Sequence, residues 1–154
     1  RYASGQDRLL VLIDYTKPST EKRFYILDLL QKKLLLSTYV AHGRGSGDNY
    51  AVAFSNRPGS YQSSLGFFRT GDTYMGKNGY SLFLDGLEKG INDKARERAI
   101  VVHGANYADP AVLKGQQRLG RSLGCPALPP DISKQVIDTI KGGVLLYIYG
   151  LNKA

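Results

Sequence analysis

The sequence predicts a mainly β protein of one domain, and three observations predict it. Short β-rich runs recur along the chain, separated by polar turns. Glycine and tyrosine are abundant, at 18 and 11 of 154 residues, as a strand-rich fold with many tight turns requires. One stretch has clear helical periodicity, and strands and helices do not alternate as they would in a parallel α/β fold.

Residues 8–16 form the first expected strand, with Leu10, Leu12 and Asp14 on one face and Leu9, Val11 and Ile13 on the other. Lys17-Pro18-Ser19-Thr20 is a turn. Residues 22–29 and 34–41 read as the second and third strands, joined through Gln31-Lys32-Lys33, so the three suggest an antiparallel meander. His42-Gly43-Arg44-Gly45-Ser46-Gly47-Asp48-Asn49 is too glycine-rich for regular structure and contains neither phosphate-binding fingerprint. Ser55-Asn56-Arg57-Pro58-Gly59-Ser60 is a second loop. Between residues 65 and 84 lies strand material interrupted by Thr70-Gly71-Asp72 and by Gly76-Lys77-Asn78-Gly79, whose Asn-Gly pair signals a hairpin. Residues 91–99 suggest a short helix, because Lys94, Ala95, Arg96, Glu97 and Arg98 are good helix formers. Ile100-Val101-Val102 is a short buried strand running into His103-Gly104, and Asp109-Pro110 opens a helical turn. Residues 115–128 are loop. Residues 131–141 are the clearest helix: Ile132, Val136, Ile137 and Ile140 share a face, and Gly142-Gly143 ends it. Residues 144–149 are the last strand.

A chain of 154 residues is the size of one domain with a substantial core; no linker or repeat divides residues 1–154. No run of eighteen apolar residues exists, so no segment spans a membrane and a soluble domain is expected. The chain opens Arg1-Tyr2-Ala3-Ser4 without an initiator Met or signal peptide, and reads as a processed or trimmed product. Net charge is +8, from 21 basic and 13 acidic residues, which attracts acidic polymers. The cations are scattered as Lys32-Lys33, Arg96 and Arg98, and Arg118 and Arg121. With no basic run and no aromatic-interleaved motif, nucleic acid is not an expected partner. The single cysteine, Cys125, rules out an internal disulfide and paired-cysteine zinc sites. Metal-ligand spacing is absent and no cofactor is implied.

Gly120-Arg121-Ser122-Leu123-Gly124-Cys125-Pro126 surrounds that cysteine with what nucleophilic catalysis needs. Gly124 leaves room for an incoming carbonyl and permits a turn other residues resist. The amides of Gly124 and Cys125 are candidate oxyanion donors. Arg118 and Arg121 favour a thiolate and suit a substrate carboxylate. Two histidines compete as base, His103 and His42, each before a glycine at a strand end. Both are expected near one cleft, with His103 preferred because it lies nearer the cysteine loop and His42 assigned to substrate binding. Tyr74, Asn106 and Tyr107 are candidate cleft residues, and Ser122 a candidate substrate donor.

A strand ending in His-Gly, followed by Ser-x-Gly-Cys, resembles the active-site signature of L,D-transpeptidases (the YkuD-like family). Four segments carry the likeness to its murein branch: His42 to Gly47, Asn56-Arg57-Pro58-Gly59-Ser60, Ile100-Val101-Val102-His103-Gly104, and Gly120 to Ala127. The resemblance implies a curved β-sheet or sandwich with one or two short helices, cradling the cleft. It implies Cys125 as nucleophile, His103 as base, Gly104 orienting that base through its backbone, and the Gly124-Cys125 turn as oxyanion hole. The implied reaction is acylation of Cys125 by a peptidoglycan stem peptide at position three, release of D-alanine, and transfer to an amine or to water. The implied location is periplasmic or extracellular, at the cell wall.

Two departures stand out. Leu123 replaces the second histidine of the common Ser/Thr-His-Gly-Cys signature, removing a polar group from the cleft. Pro126-Ala127-Leu128 replaces the polar residue that usually follows the cysteine, which leaves substrate-carboxylate binding to Arg118 or Arg121. The rivals are an L,D-carboxypeptidase using the same thioester, and a wall-binding module without chemistry.

Overall fold

The structure is a computed structural model and describes residues 7–153; the opening Arg1-Tyr2-Ala3-Ser4 lies outside the described residues. The meander is present: β1 (Leu9–Asp14), β2 (Phe24–Asp28) and β3 (Lys33–Thr38) pair antiparallel, with Val11 opposite Ile26 and Phe24 opposite Thr38. Period-two alternation turns Phe24 and Ile26 into the core and Tyr25 and Leu27 toward the surface, as a strand buried on one face demands. β4 (Gly66–Gly76) and β5 (Gly79–Gly86) form the Asn-Gly hairpin, with Gly79 at φ +83°. β6 (Val101–Gly104), β7 (Ala127–Leu128), α1 (Pro130–Ile140) and β8 (Leu145–Tyr149) follow.

The eight strands of the described residues belong to one sheet, in the order β3-β2-β1-β8-β4-β5-β6-β7. The last strand therefore lies in the middle, parallel to β1 and antiparallel to β4. Its Leu146 and Ile148 are buried and join Val11, Ile13, Phe68 and Leu84 in the principal core. The sheet curves until its ends approach: just beyond β3, Ala41 bridges Ala127 of β7, with Ala41 N–H donating to Ala127 O at 2.8 Å. The expected mainly β class and curved sheet are found, as one nearly closed sheet rather than two packed layers.

Four expectations are corrected. The third strand stops at Thr38 rather than at residue 41. Thr70-Gly71-Asp72 does not interrupt the strand; β4 runs through it with a register shift between Thr70 and Thr73, a bulge that absorbs the extra residues. The expected loop 115–128 ends in the two residues of β7. Residues 91–99 are successive turns and no helix. Asn92, fully buried, accepts from Glu88 N–H and donates to the carbonyls of Leu65 and Phe67, each at 2.9 Å. That side chain ties the segment to the start of β4, and Ala99 at φ +57° closes it.

α1 matches its expected span within a residue at each end. Pro130 in its first turn needs no N–H partner, Asp131 complements the dipole, and Val136, Ile137 and Ile140 are buried. A side chain from β4 secures its far end. Thr70 Oγ1 donates to Ile140 O at 2.7 Å and accepts from Gly143 N–H at 3.2 Å and Val144 N–H at 2.8 Å. Thr70→Val keeps the shape and strands these buried groups, which costs about 2 kcal/mol. The melting temperature should fall by roughly 4–8 °C, whereas Thr70→Ser should stay near the parent. A melt of Thr70→Val indistinguishable from the parent would contradict this role.

Candidate active site

Two polar turns and one short strand pairing assemble the cysteine loop. Ser122 N–H donates to His42 O at 2.9 Å and Arg44 N–H donates to Ser122 O at 2.8 Å, so the segment after β3 runs beside the loop. The Ser122 hydroxyl donates to Cys125 O at 2.6 Å and accepts from Gly124 N–H at 3.1 Å. Gly124 sits at φ +130°, a conformation that side chains resist. Beyond Pro126, Ala127 pairs with His103 and Leu128 with Gly104. Two residues of parallel strand thus bring Cys125 and His103, distant in sequence, to one cavity.

That cavity, of about 420 Å³, is lined by Cys125, His103, Tyr74, Tyr107, Arg98 and Arg121, with Lys77, Asn78 and Leu123 among the rest. The thiol is partly exposed and rests over the 99–101 turn. Val101 N–H donates to Sγ at 3.3 Å, and the S–H donates to Ala99 O at 3.3 Å. Burial of its surroundings pushes the thiol above its ordinary 9.0, against the pull of the Val101 amide and the Arg98 charge. At neutral pH the resting sulfur is therefore a thiol.

His103 is buried, and its Nδ1 lies 2.9 Å from Gly104 O. A carbonyl only accepts, so the ring proton is on Nδ1 and the Nε2 lone pair is free to act as a base. Burial holds the ring below its ordinary 6.5, partly opposed by the Gly104 carbonyl, so it is neutral at pH 7. No hydrogen bond joins His103 to Cys125 in this state; the thiol is bonded to the 99–101 turn instead.

The remaining candidates separate. Tyr74 and Tyr107 line the cavity; burial and the neighbouring Cys125 push the Tyr107 phenol up to about 12. Asn106 lines an adjoining cavity of about 320 Å³ with Lys77, Asn78 and Ser133. Arg121 reaches the cavity, but its Nη1 donates to Asp48 at 3.2 Å and Gly47 O at 3.3 Å. Arg118 is turned to Leu119 O at 2.9 Å, away from the cavity wall. The Ser122 hydroxyl is buried and spent inside the turn. Gly124 N–H is also taken, by that hydroxyl, while Cys125 N–H has no acceptor among the described residues. Sequence reasoning missed Arg98, which it counted only among scattered cations. It also missed that the Lys77-Asn78 hairpin tip overhangs the site. The hairpin itself was legible, but no local signal says what its tip faces.

His42 does not enter the cleft. It is buried beside Arg23, a fully buried guanidinium. Arg23 donates to Val40 O at 2.6 and 3.0 Å, to Lys17 O at 3.0 Å, and to His42 Nδ1 at 2.8 Å, with the Tyr15 ring 4.7 Å from its centre. Because Nδ1 accepts, Nε2 carries the proton and donates to Gly47 O at 3.2 Å. Burial and the Arg23 charge lower His42 to about 4. The imidazole is therefore a neutral strut under the segment beside the cysteine loop. Since the unfolded ring titrates near its ordinary 6.5, stability is full above that pH and is lost as pH falls toward 4, by about 3 kcal/mol. Urea unfolding at pH 7, 5.5 and 4 should show this loss in the parent and its absence in His42→Gln. Parallel pH dependence in both proteins would overturn the assignment.

The family model described as L,D-transpeptidase catalytic domain matches residues 1–149. No curated protein matches the chain. Among solved structures, it is similar to the helical cell shape determining protein Pgp2 of Campylobacter jejuni, at 16% identity and TM-score 0.60, over 99% of this chain and 54% of that one. It is similar to an L,D-transpeptidase of Stackebrandtia nassauensis at 14% identity and TM-score 0.56, over 98% and 60%. An L,D-transpeptidase of Mycobacterium smegmatis matches at 13% identity and TM-score 0.55, over 93% and 59%. The chain thus spans 54–60% of the length of these structures, and at such identities their likeness speaks for the fold. The family match, covering nearly all of the sequence, carries the assignment: this chain belongs to the L,D-transpeptidase catalytic domain family.

Proposed function

We propose that this chain is a peptidoglycan L,D-transpeptidase in which Cys125 forms a thioester with a stem peptide at position three and passes it to an amine of a second stem. The observation that carries the reading is the shared cavity of Cys125 and His103, with His103 Nδ1 tied to Gly104 O. That bond leaves Nε2 as the basic nitrogen, and burial keeps it unprotonated at neutral pH. Because the thiol is pushed up rather than down, the pair acts by general-base catalysis and not as a resting ion pair.

The thiol leaves the 99–101 turn and gives its proton to His103 Nε2. The sulfur attacks the position-three carbonyl, whose oxygen gains negative charge. Cys125 N–H is the donor ready for it; Gly124 N–H joins when it releases the Ser122 hydroxyl. The C–N bond to D-alanine breaks, and the proton on His103 goes to the departing amine. An acceptor amine then attacks the thioester, His103 takes its proton, and the C–S bond breaks to give a 3→3 cross-link. The proton returns to sulfur. Water in place of the amine gives the tripeptide of a carboxypeptidase. Tyr74, Tyr107, Lys77 and Arg121 line the approach, and Asn106 lines its extension beside α1. The workplace implied is the cell wall, outside the cytoplasmic membrane. No helix among the described residues is long and apolar enough to cross a membrane.

Incubation with disaccharide-tetrapeptide should yield dimeric muropeptides and free D-alanine. Tripeptide without dimer would replace transpeptidase by carboxypeptidase, and no product from folded protein would favour a binding module. Cys125→Ala should abolish all products with an unchanged melt, and His103→Ala should slow them about 100-fold. The acid limb of kcat/KM should fall below pH 6.5, since the folded ring binds its proton less readily than a free one; a limb above 7 would contradict the His103 assignment.

A further inference from the structure

Arg98 has no place in the reaction as drawn, yet it is the charged group set most closely into the nucleophile's support. Its half-buried guanidinium donates from Nη1 to Ser55 O at 2.9 Å and Ser64 Oγ at 2.7 Å. Nη2 donates to Ser60 Oγ at 3.2 Å and Gln62 O at 2.8 Å. Every one of these acceptors is neutral. Arg8, Arg96 and Arg121 each lie against an aspartate; among the described residues Arg98 has no such ion pair. Four hydrogen bonds hold the group and occupy both Nη atoms without cancelling its charge, which burial makes costly to keep.

Its position explains the expense. Nη2 lies 3.5 Å from where a Cβ on Gly124 would stand, so the guanidinium underlies the turn that presents the cysteine. It also lines the cavity with Cys125, whose sulfur contacts Ala99 O and Val101 N–H, the backbone immediately following Arg98. Other titratable groups facing the thiol are neutral near pH 7: His103 is lowered, and Tyr107 and Tyr15 are each raised to about 12. At the rim, Arg121 pairs with Asp48 and Lys77 is exposed to screening solvent. The geometry points to Arg98 as a positioning residue for the transfer step, its uncompensated charge steadying the Cys125 thiolate at the moment His103 removes the proton. The proton goes to His103 Nε2, the electron pair stays on sulfur, and Arg98 exchanges nothing. This inference rests on the reading of Cys125 as nucleophile.

Because Cys125 is the single cysteine, iodoacetamide alkylation reports on it alone. Rates should be measured against pH in the parent, Arg98→Gln and Arg98→Lys, with melting curves and tetrapeptide acylation on the same samples. Arg98→Gln should move the alkylation midpoint up by about one pH unit, slowing the reaction about tenfold below it and leaving the alkaline plateau unchanged. Arg98→Lys, which keeps the charge, should retain the parent midpoint. An unchanged midpoint in Arg98→Gln, or a uniform loss at every pH, would overturn the inference, since a residue that only held the turn would act without regard to pH. If Arg98→Gln does not fold, Arg98→Lys decides alone: a parental midpoint supports the role and a raised one overturns it. Failure of the parent to be acylated by tetrapeptide would sink the functional reading, while the alkylation profile would still decide on Arg98.

Discussion

Two backbones pressed together without side chains between them set the geometry of this site. A Cβ on Gly43 would lie 2.5 Å from Tyr61 O and 2.9 Å from Gly124 Cα, distances no side chain tolerates. The contact lets Gly43 bridge Ser122 and brings the segment after β3, the 60–64 loop and the cysteine turn into one layer. Gly43 N–H donates to Ser63 Oγ at 2.9 Å, Gly45 N–H to Tyr61 O at 2.8 Å and Ser63 N–H to Ser46 Oγ at 2.8 Å, so the layer is cross-braced by small polar residues. Ser46 and Ser63 thus brace the layer that carries the cysteine turn.

Electrostatically the cavity is built from neutral groups beside a half-buried cation. The resting thiol and imidazole are both uncharged, which avoids the cost of burying an ion pair in a partly closed cleft. Arg98 underlies the cysteine turn and Arg23 stands against His42, each bonded to neutral acceptors. Of the two, only Arg98 lines the cavity with the thiol and lowers its pKa by its charge. Arg23 also reads out on the nearer histidine: by donating to His42 Nδ1 it fixes a tautomer and keeps that ring from protonation. The two histidines, alike in sequence, thus differ in tautomer and place: His42 is buried against Arg23, and His103 faces the cavity with its Nδ1 tied to Gly104 O.

Much of the fold was legible because local patterns govern it. The meander follows from alternation in residues 8–41, the hairpin from Asn78-Gly79, and α1 from the spacing of Ile132, Val136, Ile137 and Ile140. The central place of β8 was not, since which strands neighbour it depends on pairings that span most of the chain. Residues 91–99 deceived because helix propensity is weak beside one buried side chain: Asn92 stitches the segment to β4. At the site, Gly124-Cys125-Pro126 and His103-Gly104 stood out in the sequence, and the fold brings Cys125 and His103 to one cavity. His42 did not declare its buried partner, and Arg98 carries no local mark that separates it from Arg118 or Arg121. Only the tertiary path of the 55–64 loop tells them apart.

The claim on which the account turns is that Cys125 carries the acyl group. Intact-protein mass spectrometry after rapid acid quench, with the protein in excess over disaccharide-tetrapeptide so that acylation is caught before transfer, decides it. If Cys125 is the nucleophile, the protein's mass rises by the donor less one D-alanine, mapped by proteolysis to the peptide containing Cys125. Release of D-alanine without any adduct on that peptide, or an adduct mapped to another residue, would contradict it.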